Sequence, residues 1–352
     1  RVAWSKAIPA GDINIVLQVT AKKIPELPKV PLALDLAKTD EARQLLKAGA
    51  IDPAAIVRVY VGPDDVRAPK SYLADEPGVQ RAITHRYDPY RQTWARLAAL
   101  CHMGHPVSKV ELIVLGGTWS SYPLPYRRWF VRNCLAALTA FDPARAEEPP
   151  PEPPDSGEEA EWEELEAAQR SNEAARVRMV GLVLETRPDH VTPREVLRLR
   201  RLGATRVQIG YQSLSDEVLA ANRRGHDVET ARRATGLLRR AGFKILAHWM
   251  PNLYGSTPAA DVEDFARIFD DPALRPDELK IYPCSLVETA ELMDHWRDGR
   301  WRPYDEAELL DVLTEVMPTT PPWCRLTRVV RDIPGGDIVT GNTTTNLREV
   351  AE

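Results

Sequence analysis

Short runs dominated by β-branched and other apolar residues recur along this chain, and each is followed by a stretch whose apolar positions return every three to four residues. The first pattern suits strands and the second amphipathic helices, so their alternation predicts βα units around a parallel sheet. Six strands are read at residues 56–61, 110–115, 180–185, 206–210, 244–250 and 278–282. Helices are read over 91–103, 126–139, 193–202, 228–241 and 260–269, with a further one, 305–317, after the sixth strand. Thr192 as N-cap with Pro193 in the first turn starts one of them, and Gly203 stops it. Gly242 ends another in the same way. Six such units suit either six-eighths of a barrel or a doubly wound open sheet. No GxGxxG or P-loop follows the first strand, which counts against a nucleotide-binding doubly wound fold.

The chain has 352 residues, 43% of them hydrophobic, enough for a sizeable core in one large or two ordinary domains. No uncharged apolar run of about 18 residues occurs, and Arg1-Val2-Ala3-Trp4 opens no signal-peptide core, so a cytoplasmic protein with no membrane partner is expected. Cys101, Cys134, Cys284 and Cys324 are scattered, which predicts free buried thiols rather than a disulfide framework or a close metal motif. A start without Met and a stop soon after Asn346-Leu347-Arg348-Glu349 suggest a chain trimmed at both ends.

Charge is unevenly spread. The net −5 becomes +5 once the ten acids of residues 147–166 are set aside. The body is therefore mildly basic and carries an acidic insert, bounded at 143–175. Its Pro-rich half, 149–154, is expected to be an extended or disordered surface loop. The half from 158 to 176 is expected to be a solvated helix, and residues 147–166 are expected to be dispensable for folding.

In parallel barrels the chemistry gathers at the C-terminal ends of the strands, where the loops meet. Those ends here carry Gly116-Gly117-Thr118-Trp119, Glu185-Thr186-Arg187-Pro188-Asp189, Gly210-Tyr211-Gln212-Ser213, His248-Trp249-Met250 and Lys280-Ile281-Tyr282-Pro283. Paired glycines let a backbone approach a ligand, or simply make a tight turn. Glu185 suits hydroxyls or an ammonium and Arg187 a carboxylate or phosphate, or the two form an ion pair. Gln212 and Ser213 are neutral hydrogen-bonders suited to an adenosine or ribose edge. Lys280 is the only lysine after Lys244, and His248 suits either a core position or a site.

An ordered set of motifs then becomes specific. Pro69-Lys70-Ser71-Tyr72-Leu73, Tyr87-Asp88-Pro89-Tyr90, the Gly116 and Glu185 motifs, Gly203-Ala204-Thr205-Arg206-Val207, Arg224-Gly225-His226, Leu279-Lys280-Ile281-Tyr282-Pro283 and Arg331-Asp332-Ile333-Pro334 follow one another. In this order, over residues 56–350, the chain resembles the catalytic subunits of Elongator, the radical-SAM tRNA uridine-34 acetyltransferase family. The resemblance implies an α/β fold, a partial (β/α)6 TIM-like barrel over 51–317, with an N-terminal extension (1–50) and a C-terminal extension (318–352) leading towards an acetyltransferase domain. It implies carboxymethyl-type modification at C5 of the tRNA wobble uridine by SAM radical chemistry, with acetyl-CoA as substrate. Gly116, Gly117, Thr118, Glu185 and Gln212 then match SAM-binding positions, and Lys280 and Glu185 the catalytic ones. It also implies a 4Fe-4S cluster, with tRNA, other Elongator-type subunits or a second copy as partners.

The chain departs from this family at the cluster. Three closely spaced cysteines should follow the first strand. Instead that strand runs through Gly62-Pro63-Asp64-Asp65-Val66-Arg67 into Pro69, and no cysteine precedes Cys101, so no metal ligand is identifiable. Either the loop has been lost or it is absent from the residues given. A barrel without a cluster that binds tRNA or a partner without turnover is the alternative function.

For RNA, phosphate contact needs basic strips and anticodon reading adds aromatics. Arg127, Arg128 and Arg132 with Trp129 and Phe130 form one strip. Arg194, Arg198 and Arg201 share a helix face, and Arg325, Arg328 and Arg331 recur every third residue. Lys22, Lys23, Lys29, Lys38 and Lys47 mark the 1–50 extension as a further RNA-binding candidate.

Overall fold

The computed structural model describes Asp35 and residues 55–61, 76–153, 157–330, 333, 335–344 and 347–352. Apart from Asp35, the 1–50 extension with its lysines lies outside the described residues, as do the junction at 62–75 and Arg331, Asp332 and Pro334.

Strands β1 (Ala55–Tyr60), β2 (Lys109–Leu115), β3 (Arg178–Thr186), β4 (Arg206–Gln212), β5 (Lys244–Trp249) and β6 (Glu278–Ile281) occupy the six expected runs. They pair in parallel, in sequence order, and β8 (Arg325–Val329) adds a seventh strand beside β6. The sheet is the α/β partial barrel expected, extended by one edge strand. Between β6 and β8, β7 (Leu286–Val287) turns aside to pair antiparallel with β9 (Ile338–Thr340).

Helices α1 (Pro77–Thr84) and α2 (Pro89–His102) follow β1, and α3 (Leu124–Ala140) and α4 (Trp162–Glu173) follow β2. Then α5 (Pro193–Arg201) follows β3, α6 (Asp216–Ala221) and α7 (Val228–Arg240) follow β4, and α8 (Pro258–Asp270) follows β5. Helices α9 (Leu292–Arg297) and α10 (Glu306–Val316) precede β8, and α11 (Leu347–Ala351) comes last. Caps set the starts: Thr192 accepts from Glu195 N ahead of Pro193, and Thr257 accepts from Ala260 N ahead of Pro258. Gly203 and Gly242 take positive φ where α5 and α7 end. Among the described residues, no helix is long and apolar enough to cross a membrane.

The period-two alternation of the strands separates two faces. Val110, Leu112 and Val114 of β2, Leu182 and Leu184 of β3, Val207, Ile209 and Tyr211 of β4, and Ile245, Ala247 and Trp249 of β5 are buried in one core with the helices. The alternate positions form the concave interior, which is largely polar. At its base Arg206 pairs with Glu111 at 3.0 Å and Glu278 at 3.2 Å, tying β4 to β2 and β6.

The acidic insert corrects an expectation. Pro149, Pro150 and Pro151 are exposed and irregular, but the following helix, α4, is part of the fold. Leu165 is fully buried, and Asn172 donates to Val177 O and Thr139 Oγ1 while accepting from Met179 N. Burying a leucine contributes about 2 kcal/mol, and each backbone group of the β3 entry that Asn172 satisfies would otherwise be an unpaired buried one. The helix is therefore packed on the fold along one face rather than free in solvent.

Its acids also explain the arginines of its neighbours. Glu161 meets Arg128 at 3.3 Å, Glu164 meets Arg132 at 2.9 Å, and Glu166 meets Arg201 at 2.7 Å. The Trp162 ring lies under the guanidinium groups of Arg128 and Arg201, at 5.4 and 4.2 Å from its centroid.

Candidate active site at the barrel mouth

The glycine turn after β2 is set by backbone conformation. Gly116 (φ 137°) and Gly117 (φ 86°) take positive φ, a conformation that L side chains rarely adopt, so the turn favours glycine at both. Trp119, buried edge-on against Phe130 at 5.6 Å, anchors the turn in the core. Thr186 Oγ1 donates to Ser120 Oγ at 3.0 Å and ties it to the end of β3. Thr118 caps the short 3-10 turn Trp119–Ser121, and its carbonyl accepts from Ser121 Oγ at 2.6 Å.

Glu185 and Gln212 close the neighbouring strands. Gln212 has φ 65°, at the irregularity where β4 shifts register against β5, and its carbonyl accepts from Met250 N. Its side chain folds back over Gly210, where an added Cβ would lie 2.5 Å from Nε2. Its Oε1 is buried and has no hydrogen-bond partner among the described residues. Such an acceptor is costly unless a ligand donates to it.

Three side chains meet in the interior below. Lys280 Nζ donates to Gln208 Oε1 at 2.7 Å, and His248 Nε2 lies 3.0 Å from the same oxygen. Tyr282 flanks both, its ring 5.9 Å from Nζ and 5.6 Å from the His248 ring. Burial pulls the Lys280 amine down to about 8; Glu185 and Glu278 oppose this, while Arg328 and Arg58 add to it.

Arg224, part of the Arg224-Gly225-His226 motif, is a further candidate site residue. It follows β4 on a loop, partly buried, with Nη2 on the weak acceptor Met250 Sδ at 3.2 Å and Nε unpartnered among the described residues. Burial lowers its pKa and nearby Arg187 lowers it further, while Cys284 opposes both. Arg187 is committed to Asp189 by two bonds at 3.0 and 2.8 Å. Gly225 (φ 75°) lets it approach, since a Cβ there would lie 2.3 Å from Arg187 Nη2. A desolvated guanidinium lacking a carboxylate is a ready place for one.

These residues suit the groups of SAM: backbone at Gly116 and Gly117 for the ammonium, Arg224 for the carboxylate, and Glu185 and Gln212 for ribose or adenine. The cluster is different. Cys101 lies on α2, Cys134 on α3, Cys284 after β6 and Cys324 at the start of β8, and no three His, Cys, Asp or Glu among the described residues could hold a metal ion. Burial pushes the thiols of Cys134 and Cys324 up to about 12 and that of Cys284 to about 11. The cysteines of this chain do not fit a 4Fe-4S cluster.

The RNA strips require correction. Arg127 is buried and paired with buried Glu195, and Arg128 and Arg132 are held by α4. Trp129 and Phe130 are core residues. None of these can reach a phosphate or stack on a base. Arg198 and Arg201 pair with Glu195 and Glu166, leaving Arg194 exposed in the first turn of α5, at the mouth end. Arg325 is exposed near the opposite end, but an irregularity between β6 and β8 aligns Arg328 with Lys280, inside the barrel.

The sequence and the fold have counterparts among known proteins. The Radical SAM superfamily model matches residues 151–268, and the Radical_SAM C-terminal domain matches 276–352. A tRNA uridine(34) acetyltransferase of Methanocaldococcus infernus is 39% identical over 282 residues, 80% of this chain and 49% of that protein. The human Elongator complex protein 3 is 36% identical over 282 residues, 80% of this chain and 48% of its own. The solved structure of an N-terminally deleted archaeal Elp3 from M. infernus superimposes with a TM-score of 0.72 at 36% identity, covering 86% of this chain and 62% of that one. The chain thus spans about half the length of the curated relatives it matches.

Proposed function

The chain belongs to the radical SAM superfamily, as the radical-SAM part of the Elongator catalytic-subunit family, and from that membership we propose that it serves carboxymethyl-type C5 modification of the tRNA wobble uridine. SAM binds at the mouth, acetyl-CoA is the acyl source, and tRNA is the macromolecular substrate. The setting is cytoplasmic, with other Elongator-type subunits or a second copy as further partners. The observation that carries this reading is that Gly116, Gly117, Glu185 and Gln212 lie at the C-terminal ends of β2, β3 and β4, with Arg224 on Met250 just after β5 and Lys280 in the interior on β6. It is supported by identity to proteins named tRNA uridine(34) acetyltransferase.

SAM, when bound, supplies an adenosyl group on an electron-poor sulfonium. The chain's own part is to orient and to exclude water. Gly116 and Gly117 hold the ammonium with main-chain groups, and Arg224 holds the carboxylate. Glu185 and Gln212 fix the sugar and base. Lys280, with its amine near 8, holds or releases a proton at Nζ beside the substrate. No step is assigned to an iron–sulfur cluster, because the cysteines do not fit one.

That same misfit favours a second reading, a barrel that binds tRNA or a partner without turnover. Iron and sulfide analysis of anaerobically purified full-length protein separates the two: stoichiometric iron supports the enzyme, and none supports the binding module. For tRNA itself, affinity should fall with salt at a log-log slope of about −0.7 per contacted single-strand phosphate. Arg194→Ala should flatten that slope by about one contact. No tRNA binding at low salt would exclude the tRNA-modifying reading and leave only a barrel that binds another partner.

A further inference from the structure

Gln208 has no place in the mouth as described, yet Lys280 and His248 both converge on it. It lies in the middle of β4 between Val207 and Ile209, 1% exposed, with its side chain on the concave face. Lys280 stands on β6 directly opposite His248 on β5, and both reach back to the single oxygen of Gln208. An ammonium offers only donors, so the amide must turn its oxygen towards Lys280. His248 Nε2 must then carry a proton to meet that same oxygen.

We propose that Gln208 is a positioning residue, holding Lys280 Nζ and the Nε2–H form of His248 on one amide oxygen at the floor of the ligand site. This rests on the mouth reading given above. The choice of an amide has a physical reason. The groups facing Lys280 are Glu185 from β3, Arg58 from β1, Arg328 from β8, Glu278 of its own strand, and His248 and Tyr282. A carboxylate at position 208 would add a second close anion and keep the amine charged well above neutral pH. An apolar residue would remove the acceptor that Lys280 Nζ and His248 Nε2 share. The amide satisfies both donors without charge, so the amine can exchange its proton near neutrality.

The test is the titration of Lys280 itself, read by competitive labelling of the full chain with acetic anhydride across pH and mass spectrometry of the Lys280 peptide. Gln208→Glu should move the midpoint up by about one pH unit or more, an approximately tenfold loss of reactive amine at the wild-type midpoint. Gln208→Met should move it down by a comparable amount. Thermal melting establishes that each variant is folded, and if Gln208→Glu fails to fold, Gln208→Met decides alone. An unmoved midpoint in the folded variants overturns the proposal. The readout needs neither tRNA nor SAM, so a shifted midpoint in a protein that binds no tRNA would remove the tRNA reading and leave the positioning role standing.

Discussion

Two groups of cations in this molecule have opposite fates. Around α3, α4 and α5, Arg127, Arg128, Arg132 and Arg201 each meet a carboxylate supplied by a neighbouring helix. At the mouth, Lys280 meets an amide oxygen and Arg224 a thioether. The residue types are alike; the difference lies in whether the fold places a carboxylate in direct contact with the cation. Where it does, the cation fastens helices together. Where it does not, the fold carries a desolvated donor that a ligand can satisfy.

The comparison can be broken from the helical side first. Glu195→Ala should leave Arg127 buried without its anion and destabilise the protein by about 3–5 kcal/mol, read from denaturant unfolding. A loss below about 1 kcal/mol would mean that the pair is not structural.

Lys280 sharpens the other side. Its folded pKa, about 8, lies below the ordinary 10.5, so the unfolded chain binds more protons between those values. Stability should therefore rise as pH rises from about 8 towards 10.5, and the cost of the buried charge should be fully present below 8. Lys280→Met should be more stable than wild type below pH 8 and lose that part of the slope. Identical pH profiles would show that the amine is not desolvated.

The smallest effect is expected at the surface. Glu166→Gln breaks a pair whose arginine side chain is 46% exposed, so the melting midpoint should change by less than about 1 kcal/mol equivalent. A large loss there would mean that the exposed contacts, rather than Leu165 and Asn172, hold α4 in place.

Much of this contrast was legible in the sequence, for reasons that differ by element. The first six strands announce themselves because one face of each must be apolar against helices. Strand β8 does not: only Val329 within it is buried, and Arg325-Leu326-Thr327-Arg328-Val329 reads as a basic strip. Helix α4 hides its role because only Leu165 and Asn172 within it are buried, among acids whose partners lie on helices distant in sequence. The arginines of α3 looked available for RNA because sequence shows charge and not burial. Gly116, Gly117, Glu185, Gln212 and Lys280 were readable as strand ends. Gln208 was passed over, although a glutamine between Val207 and Ile209 in a core strand is itself a sign of a polar barrel interior. Arg224 was visible as a motif, but its lack of a carboxylate is a three-dimensional fact.

The most direct test compares one cation from each group by equilibrium dialysis of SAM against the purified chain. Arg224→Met should weaken SAM binding about tenfold or more while remaining folded, because its guanidinium is assigned to the carboxylate. Arg201→Met, whose charge is already met by Glu166, should bind SAM as wild type does. Equal SAM affinity in wild type and both variants, or loss in Arg201→Met alone, would contradict the division between structural and ligand-facing cations.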